Sequence, residues 1–203
     1  MSRFAAVVVA AGLSSRMDGF KPLLPLGSST VLGCAAGLLR AAGVEFVLAV
    51  AGYRAEEVAT EALRLSIGCV RNKDFQSGMF SSVTTGLQAL PDGFDGVFVL
   101  PADIPLVRPG TIRGLMARFR GKPALYPVFA GKRGHPPLIA SRCLPRILGW
   151  EGVDGLRGAL GHMEHEEGAD EMICADENIL FDLDTPEDYR QAAHRALRIG
   201  HPS

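Results

Sequence analysis

Several absences narrow the class of this 203-residue chain. Although 47% of its residues are hydrophobic, glycines, prolines and charges interrupt every apolar run before it is long enough to cross a bilayer. The four cysteines, Cys34, Cys69, Cys143 and Cys174, form no C-x-x-C pair, so we expect reduced core side chains and neither a zinc site nor disulfides. With 21 basic and 22 acidic residues, the chain offers no overall positive field to a nucleic acid. A membrane span and a nucleic-acid partner are therefore not expected.

Signals for export are missing as well. Residues 1–4 lead directly into an apolar run, without the charged region, apolar core and cleavage site of a secretory signal. We therefore expect a cytoplasmic protein. The length fits one domain with a large core, and no repeat or linker divides the chain.

The most informative stretch is an apolar run, residues 6–10, that ends in a turn of small residues. An uninterrupted β-branched run is typical of a strand buried on both faces. The turn matches neither G-x-G-x-x-G nor the P-loop pattern, which argues against a Rossmann dehydrogenase and a P-loop NTPase. Small residues leave backbone N–H groups open to an oxyanion, and Arg16 and Lys21 add positive charge. The residues with exposed N–H groups are Ala11, Gly12, Ser14 and Ser15. An ordinary connection between a strand and a helix would leave the same pattern.

Strand and helix patterns alternate along the rest of the chain, which predicts an α/β fold with a mostly parallel sheet. We expect helices at about 28–43, 55–65, 80–90, 109–120 and 187–199. Further strands are expected at 45–50, 67–70, 96–100, 124–129, 171–174 and 178–181. Residues 141–162 form a loop-rich cap with two short helical patterns, and the polar run 162–167 is typical of a solvated surface.

A second small-residue turn, at residues 72–79, precedes a predicted helix. Its N–H donors would lie beside the first turn, at the carboxyl ends of the strands, and would suit a base, ribose or phosphate. Gly78 and Met79 are the main candidates, and Ser82 is a further one. The alternative is that Ser77 is an N-cap and the serines fill the first helical turn.

Acidic residues follow two of the predicted strands. Asp103 comes just after the strand at 96–100, where open α/β sheets bind ligands, and magnesium prefers such oxygen ligands. Asp182 and Asp184 occupy alternate positions and point the same way, so that either could complete the metal site. The alternative for Asp103 is a turn cap before Pro105. The sequence of residues 185–188 is typical of the start of a helix, so no functional role is needed to explain these residues.

One further loop carries basic residues and a histidine. Arg133, next to Lys132, is suited to the phosphate of a second substrate. His135 lies between Gly134 and Pro136, and we interpret it as a substrate-binding residue rather than a catalyst.

Five segments in order resemble the MobA/MocA-type nucleotidyltransferases, and most closely the molybdenum cofactor cytidylyltransferase branch. They are residues 10–17 with Lys21, 77–83, 101–107, 133–136 and 182–188. The resemblance implies a three-layer, Rossmann-like domain of the nucleotide-diphospho-sugar transferase type. Its nucleotide-binding part would cover about residues 1–108 and its acceptor-binding part about 109–190.

The same resemblance implies Mg²⁺-dependent transfer of CMP from CTP to molybdopterin, with release of pyrophosphate, and suggests a molybdenum hydroxylase as a partner. It assigns nucleotide binding to Ala10, Ala11, Gly12, Ser14, Ser15, Gly78, Met79 and Ser82. The expected catalytic residues are Arg16, Lys21 and Asp103, the acceptor-binding residues Arg133, Gly134 and His135, and the metal ligands Asp103 with Asp182 or Asp184. Alternatives are a transferase that uses GTP or a sugar or polyol phosphate, and a non-catalytic cofactor chaperone.

Overall fold

The computed structural model describes residues 2–13 and 19–199, and its core is a twisted sheet between two helical layers. The strands are β1 Phe4–Ala10, β2 Pro25–Leu26, β3 Ser29–Thr30, β4 Phe46–Ala51, β5 Gly68–Arg71, β6 Gly96–Pro101, β7 Ala124–Phe129, β8 Lys132–Arg133, β9 Leu138–Ala140 and β10 Asp170–Ile173. The α-helices are α1 Val31–Ala42, α2 Ala55–Arg64, α3 Met79–Gln88, α4 Pro109–Arg118, α5 Leu144–Leu148, α6 Gly155–Glu167 and α7 Pro186–Ile199.

The main sheet has the order β10-β7-β9-β6-β1-β4-β5, with β8 paired to β7. β1 is parallel to both of its neighbours, β4 and β6, and is buried over almost its whole length. β9 is antiparallel to both β6 and β7. The predicted mostly parallel α/β fold is therefore confirmed.

Alternate side chains of β1 pack against opposite layers, as the two-residue period of a strand requires. Ala6 and Val8 contact the cluster that contains α1, α2 and α4. Ala5 and Val7 contact the cluster that contains α3, α5 and α6. Both faces of the strand are therefore apolar, which is why its sequence reads as a continuous hydrophobic run.

Local capping explains the ends of two predicted helices. The Thr30 side chain accepts a hydrogen bond from Gly33 N at 3.0 Å, and Gly43 ends α1 in the left-handed conformation. Thr185 Oγ1 accepts from Asp188 N at 3.2 Å, and the Asp188 carboxylate accepts from Thr185 N at 2.8 Å. The second cap agrees with the expectation that residues 185–188 start the last helix.

Three expectations were wrong. Residues 178–181 are not a strand: Glu177–Leu180 form a 3₁₀ helix, because the Asp176 side chain accepts from Asn178 N and turns the chain. Cys69 is exposed rather than in the core, since it lies on the edge strand β5. Residues 162–167 belong to α6 and are not uniformly solvated, because Glu164 is partly buried.

In the described residues, no helix is both long and apolar enough to cross a membrane. The expected division into a nucleotide part and an acceptor part stays a prediction.

Candidate active site

The first part of the site is a pocket of about 90 Å³ where β1 and β6 end. Ala102 N donates to Val9 O at 3.0 Å, which brings the chain after β6 against the end of β1. Gly12 borders the pocket, and a Cβ atom added there would meet nothing within 4 Å. Its backbone can therefore be approached closely by a ligand. Ala10 also lines the pocket, whereas Ala11 is buried and its carbonyl accepts from Tyr53 N at 3.1 Å.

Lys21 lies between two of the predicted carboxylates. Its Nζ donates to Asp103 Oδ2 at 3.2 Å and to Asp184 Oδ1 at 3.1 Å. The Lys21 side chain is 13% exposed, against 30% for Asp103 and 50% for Asp184. A short 3₁₀ turn, Lys21–Leu23, holds the lysine, and its second residue, Pro22, is buried. The structure thus brings together three of the residues that the sequence singled out.

The third carboxylate, Asp182, belongs to the same surroundings. Partial burial, and then the negative charges of Asp103 and Asp184, raise the pKa of Asp182 above its ordinary value. Leu183 N donates to Asp103 O at 2.9 Å, which fixes this stretch against the end of β6. Carboxylate oxygens are the ligands that magnesium and manganese prefer, so the donor set fits a divalent cation. Within residues 2–13 and 19–199, no cluster of three or more His, Cys, Asp or Glu side chains is already arranged around a metal position.

The second part of the site is a cavity of about 840 Å³, which shares Val9 with the small pocket. One wall is the start of α3. Gly78 has φ of 99° there, a conformation that favours glycine, and Met79 is 61% exposed. Both line the cavity, and their role in nucleotide binding stays a prediction.

Ser82 has a different environment from Gly78 and Met79. It is 2% exposed, does not line either pocket, and accepts a hydrogen bond from Asn72 Nδ2 at 2.9 Å. The same amide group donates to Ser81 Oγ. These bonds tie the turn at 72–78 to the first turn of α3, and a ligand-binding role for Ser82 stays a prediction.

The opposite wall carries Gly134 and His135. Gly134 N donates to Pro127 O and His135 N donates to Ile179 O, both at 2.9 Å, so the loop backbone is fixed on two sides. Burial lowers the pKa of His135, and the charge of Asp103 opposes this effect without overcoming it. Burial therefore favours the neutral imidazole, and its buried Nδ1 has no partner among the described residues.

Arg133 takes part in a network that closes one side of the cavity. Its guanidinium binds Glu164 at 2.8 Å and Glu171 at 2.7 Å and lies over the Tyr126 ring at 4.4 Å. Tyr126 OH donates to Glu164 Oε1 at 2.6 Å. The charge of the predicted basic residue is thus compensated by two carboxylates. Sequence reasoning missed Tyr126 and Glu164. The signal for Glu164 was its position four residues after Leu160, which places this carboxylate on the apolar face of α6.

The start of α6 was missed too. Residues 154–157 line the cavity, and Gly155 approaches α3 so closely that an added Cβ would lie 3.0 Å from Phe80 Cβ. The amino-terminal ends of α3 and α6 therefore lie side by side. Each carries partial positive charge, and Arg157 adds a full charge beside them. Ser14, Ser15 and Arg16 lie outside the described residues, so their predicted roles stay predictions.

Together these groups can bind a phosphate chain and a second ligand side by side. Lys21 and the backbone at Gly12 face one pocket, while Arg133, His135 and two helix ends face the other. Asp103 and Asp184, which both bind Lys21, can hold a cation or balance the charge of the lysine. No nucleophilic side chain is needed for a transfer between two such ligands.

Comparison with known proteins agrees with this chemistry. The profile of the "MobA-like NTP transferase domain" matches residues 6–168. The chain is 29% identical to molybdenum cofactor cytidylyltransferase of Escherichia coli K12 over 203 residues, which covers 98% of this chain and 100% of that protein.

Solved structures share the fold. A nucleotidyl transferase from Methanothermobacter thermautotroptrophicus superposes with a TM-score of 0.84 at 24% identity, covering 98% of this chain and 99% of that one. A Mycobacterium tuberculosis protein in complex with manganese gives a TM-score of 0.77 at 24% identity, covering 95% and 99%. The expected nucleotide-diphospho-sugar transferase type of fold is confirmed, and this chain is a nucleotidyltransferase that belongs to the MobA-like NTP transferase family.

Proposed function

We propose that this enzyme transfers CMP from CTP to the phosphate of a molybdenum-bearing pterin and releases pyrophosphate. The observation that carries the proposal is the junction of the two pockets at Val9, which would place a phosphate chain beside Lys21 and an acceptor in the large cavity. The similarity to the E. coli cytidylyltransferase along the whole chain supports CTP and the pterin as substrates.

The transfer forms one bond and breaks one. An oxygen of the acceptor phosphate attacks the α-phosphorus, and the bond from the α-phosphorus to the bridging oxygen breaks, so that pyrophosphate leaves with the electron pair. Lys21, which lines the small pocket, would neutralise the charge that develops on the leaving group. Arg16 is proposed to act with it. Backbone N–H groups near Gly12 and Gly78 would bind and orient the nucleotide.

The acceptor would occupy the large cavity beside the base and ribose of the nucleotide, which would bind at the Gly78 end of that cavity. Its apolar wall, which includes Phe80, Val83 and Leu160, suits a flat ring system, and Arg157 and Arg133 lie within reach of an anionic group. Neutral His135 can exchange a hydrogen bond with the acceptor without adding charge. These residues orient the acceptor phosphate and exclude water from it.

Asp103, together with Asp182 or Asp184, would hold a divalent cation, for which we propose magnesium. When bound, the ion would supply positive charge to the nucleotide phosphates. The manganese complex of the M. tuberculosis structure is consistent with such a requirement. Because Asp103 and Asp184 share the Lys21 ammonium, the lysine also keeps these carboxylates close together before substrates bind.

The test is pyrophosphate release from CTP, GTP, ATP and UTP, with magnesium and a molybdenum-loaded pterin. We expect release from CTP, and loss of at least about a hundredfold in rate in Asp103→Asn. Asp92→Asn removes an exposed charge away from the site and is the matched control, with unchanged release expected.

Other results would replace the proposal. Release from another nucleotide would assign the enzyme to a different branch of the family, and turnover only with a sugar or polyol phosphate would change the acceptor. Tight pterin binding without release from any nucleotide would indicate a cofactor chaperone.

A further inference from the structure

Residues 176–184 touch both halves of the site. Ile179 O accepts from His135 N at 2.9 Å, on the acceptor side. Four residues later, Leu183 N donates to Asp103 O at 2.9 Å, on the phosphate side. Ile179 and Leu183 are both fully buried, so this segment, named the strap here, is part of the core at its two points of contact.

The strap leaves no free space beside the loop that contains Gly134 and His135, which we name the acceptor loop. A Cβ atom added to Gly134 would lie 2.5 Å from Ile179 O and 2.7 Å from Ile179 Cγ1. Since Gly134 and His135 are consecutive, any displacement of Ile179 moves the histidine with it. The position of His135 in the cavity is thus determined by the strap as well as by its own loop.

The strap begins at a buried carboxylate that reaches neither pocket. Asp176 is 2% exposed, and its Oδ2 accepts from Arg108 N at 2.8 Å and from Thr111 Oγ1 at 2.7 Å, at the start of α4. Its Oδ1 accepts from Asn178 N at 3.2 Å and from Asn178 Nδ2 at 3.1 Å. A buried carboxylate is tolerated because these donors satisfy it and because a helix amino terminus favours negative charge.

A second anchor comes from the last helix. Asn178 is 3% exposed, and its Oδ1 accepts from Arg195 Nη1 of α7 at 2.9 Å. Asp176 and Asn178 therefore join α4, α7 and the strap by hydrogen bonds. At the other end, Asp184 binds Lys21. The fixed points of the strap are thus distributed along its whole length.

We infer that Asp176 and Asn178 are positioning residues that set the spacing between the acceptor loop at His135 and the phosphate site at Asp103. The inference rests on the proposed function, which assigns the acceptor to the cavity and the phosphates to the small pocket. Neither residue touches a substrate. Their effect is to hold two reacting groups at the correct distance from each other. A displacement of one group by about 1 Å can lower the rate about a hundredfold.

Amide hydrogen exchange tests directly whether Asp176 stabilises the two contacts of the strap, because the His135 and Leu183 amides donate the hydrogen bonds in these contacts. In Asp176→Asn, an amide NH₂ replaces one acceptor oxygen, so that two of the four donors lose their acceptor. We expect both amides to exchange at least about tenfold faster, whereas the Cys174 amide, which binds Val128 O ahead of the strap, keeps its rate. Thr111→Val removes a single donor and should act in the same direction with a smaller effect, which covers the case that Asp176→Asn does not fold.

Steady-state kinetics supply the second readout. The kcat/KM for the pterin acceptor should fall about tenfold to a hundredfold in Asp176→Asn, while the Kd for nucleotide alone stays unchanged. Ile112→Val, which shortens a fully buried side chain of α4, is the control for general destabilisation and should change neither amide selectively.

The inference is overturned if the two amides keep their rates, if Ile112→Val gives the same selective pattern, or if kcat/KM is unchanged although exchange is faster. If the native protein releases no pyrophosphate from any nucleotide, the proposed function fails, and the exchange rates alone then decide whether Asp176 controls the acceptor loop.

Discussion

Adding one methyl group at Gly134 is a sharp test of the packing between the acceptor loop and the strap. The φ of Gly134 lies outside the left-handed region, so alanine brings no backbone strain and the effect is one of space alone. The new Cβ would lie 2.5, 2.7 and 2.8 Å from the carbonyl oxygen, Cγ1 and Cβ of Ile179. All three distances are far below van der Waals contact, and one of the atoms belongs to the backbone.

The expected loss of stability depends on how little the atoms around the new methyl group can move. Ile179 is fully buried, and its carbonyl accepts from His135 N, so that relief of the clash must lengthen this bond or move the strap. Overpacking of this kind costs about 1–3 kcal/mol in the free energy of unfolding. For a chain of this size, that corresponds to a Tm lower by about 2–12 °C.

Calorimetry and acceptor kinetics on Gly134→Ala measure the two consequences. Gly37→Ala is the matched control, because its Cβ would meet nothing within 4 Å on the exposed side of α1. In that helix interior, alanine should stabilise the protein by about 0.5–1 kcal/mol. A Gly134→Ala protein with native Tm and native KM for the acceptor would refute the reasoning about the close approach.

Three further substitutions test single contacts. Lys21→Met should lower kcat by about a hundredfold to a thousandfold while the protein stays folded, and a kcat close to native would remove the lysine from the mechanism. His135→Gln should flatten stability against pH. The pKa of His135 is lowered in the native protein, so the unfolded chain takes up the proton first and stability is lost as the pH falls below about 6.5. Unfolding titrations at several pH values would show this loss. The control His162→Gln, a change at an exposed residue, should show the same loss as the native protein. Tyr126→Phe deletes the bond to Glu164 and should cost about 1 kcal/mol in denaturant unfolding, and an unchanged midpoint would contradict that value.

Sequence reasoning was most successful where one local rule decides the structure. β1 is apolar on both faces because helices cover both, and its buried run marks the strand whose end borders the small pocket. Asp103 was identified because it follows a buried strand at the ligand-binding edge, and Lys21 because its positive charge lies near the small-residue turn. Their contact at 3.2 Å was not predicted, and it agrees with the parallel pairing of β1 and β6, which end at the same edge.

Contacts set by tertiary packing were not accessible in this way. The run at 162–167 has the composition of a surface, yet Glu164 is partly buried because Tyr126 and Arg133 supply its partners from another element. Residues 178–181 have strand-like composition, and the chain turns there because the Asp176 side chain, which is held at α4 by Arg108 N, also accepts from Asn178 N. In both cases a side chain far away in sequence decides the outcome, which periodicity within a short window does not detect.

The reversed strand β9 explains how the acceptor loop reaches the phosphate site at all. In a sheet of parallel strands alone, residues that precede a strand lie at the edge opposite to the ligand site. Because β9 is antiparallel to β6, with Leu138 opposite Phe98, the residues before β9 lie beside the end of β6, and Val99 N donates to Pro137 O at 3.3 Å. β7 also ends at this edge, since β9 is antiparallel to it as well. The reversed direction of β9 thus adds His135 to a site that is otherwise built from strand ends. The strap has to cross from this added loop to Asp103. We therefore expect the anchors of the strap to matter more for the acceptor than for the nucleotide.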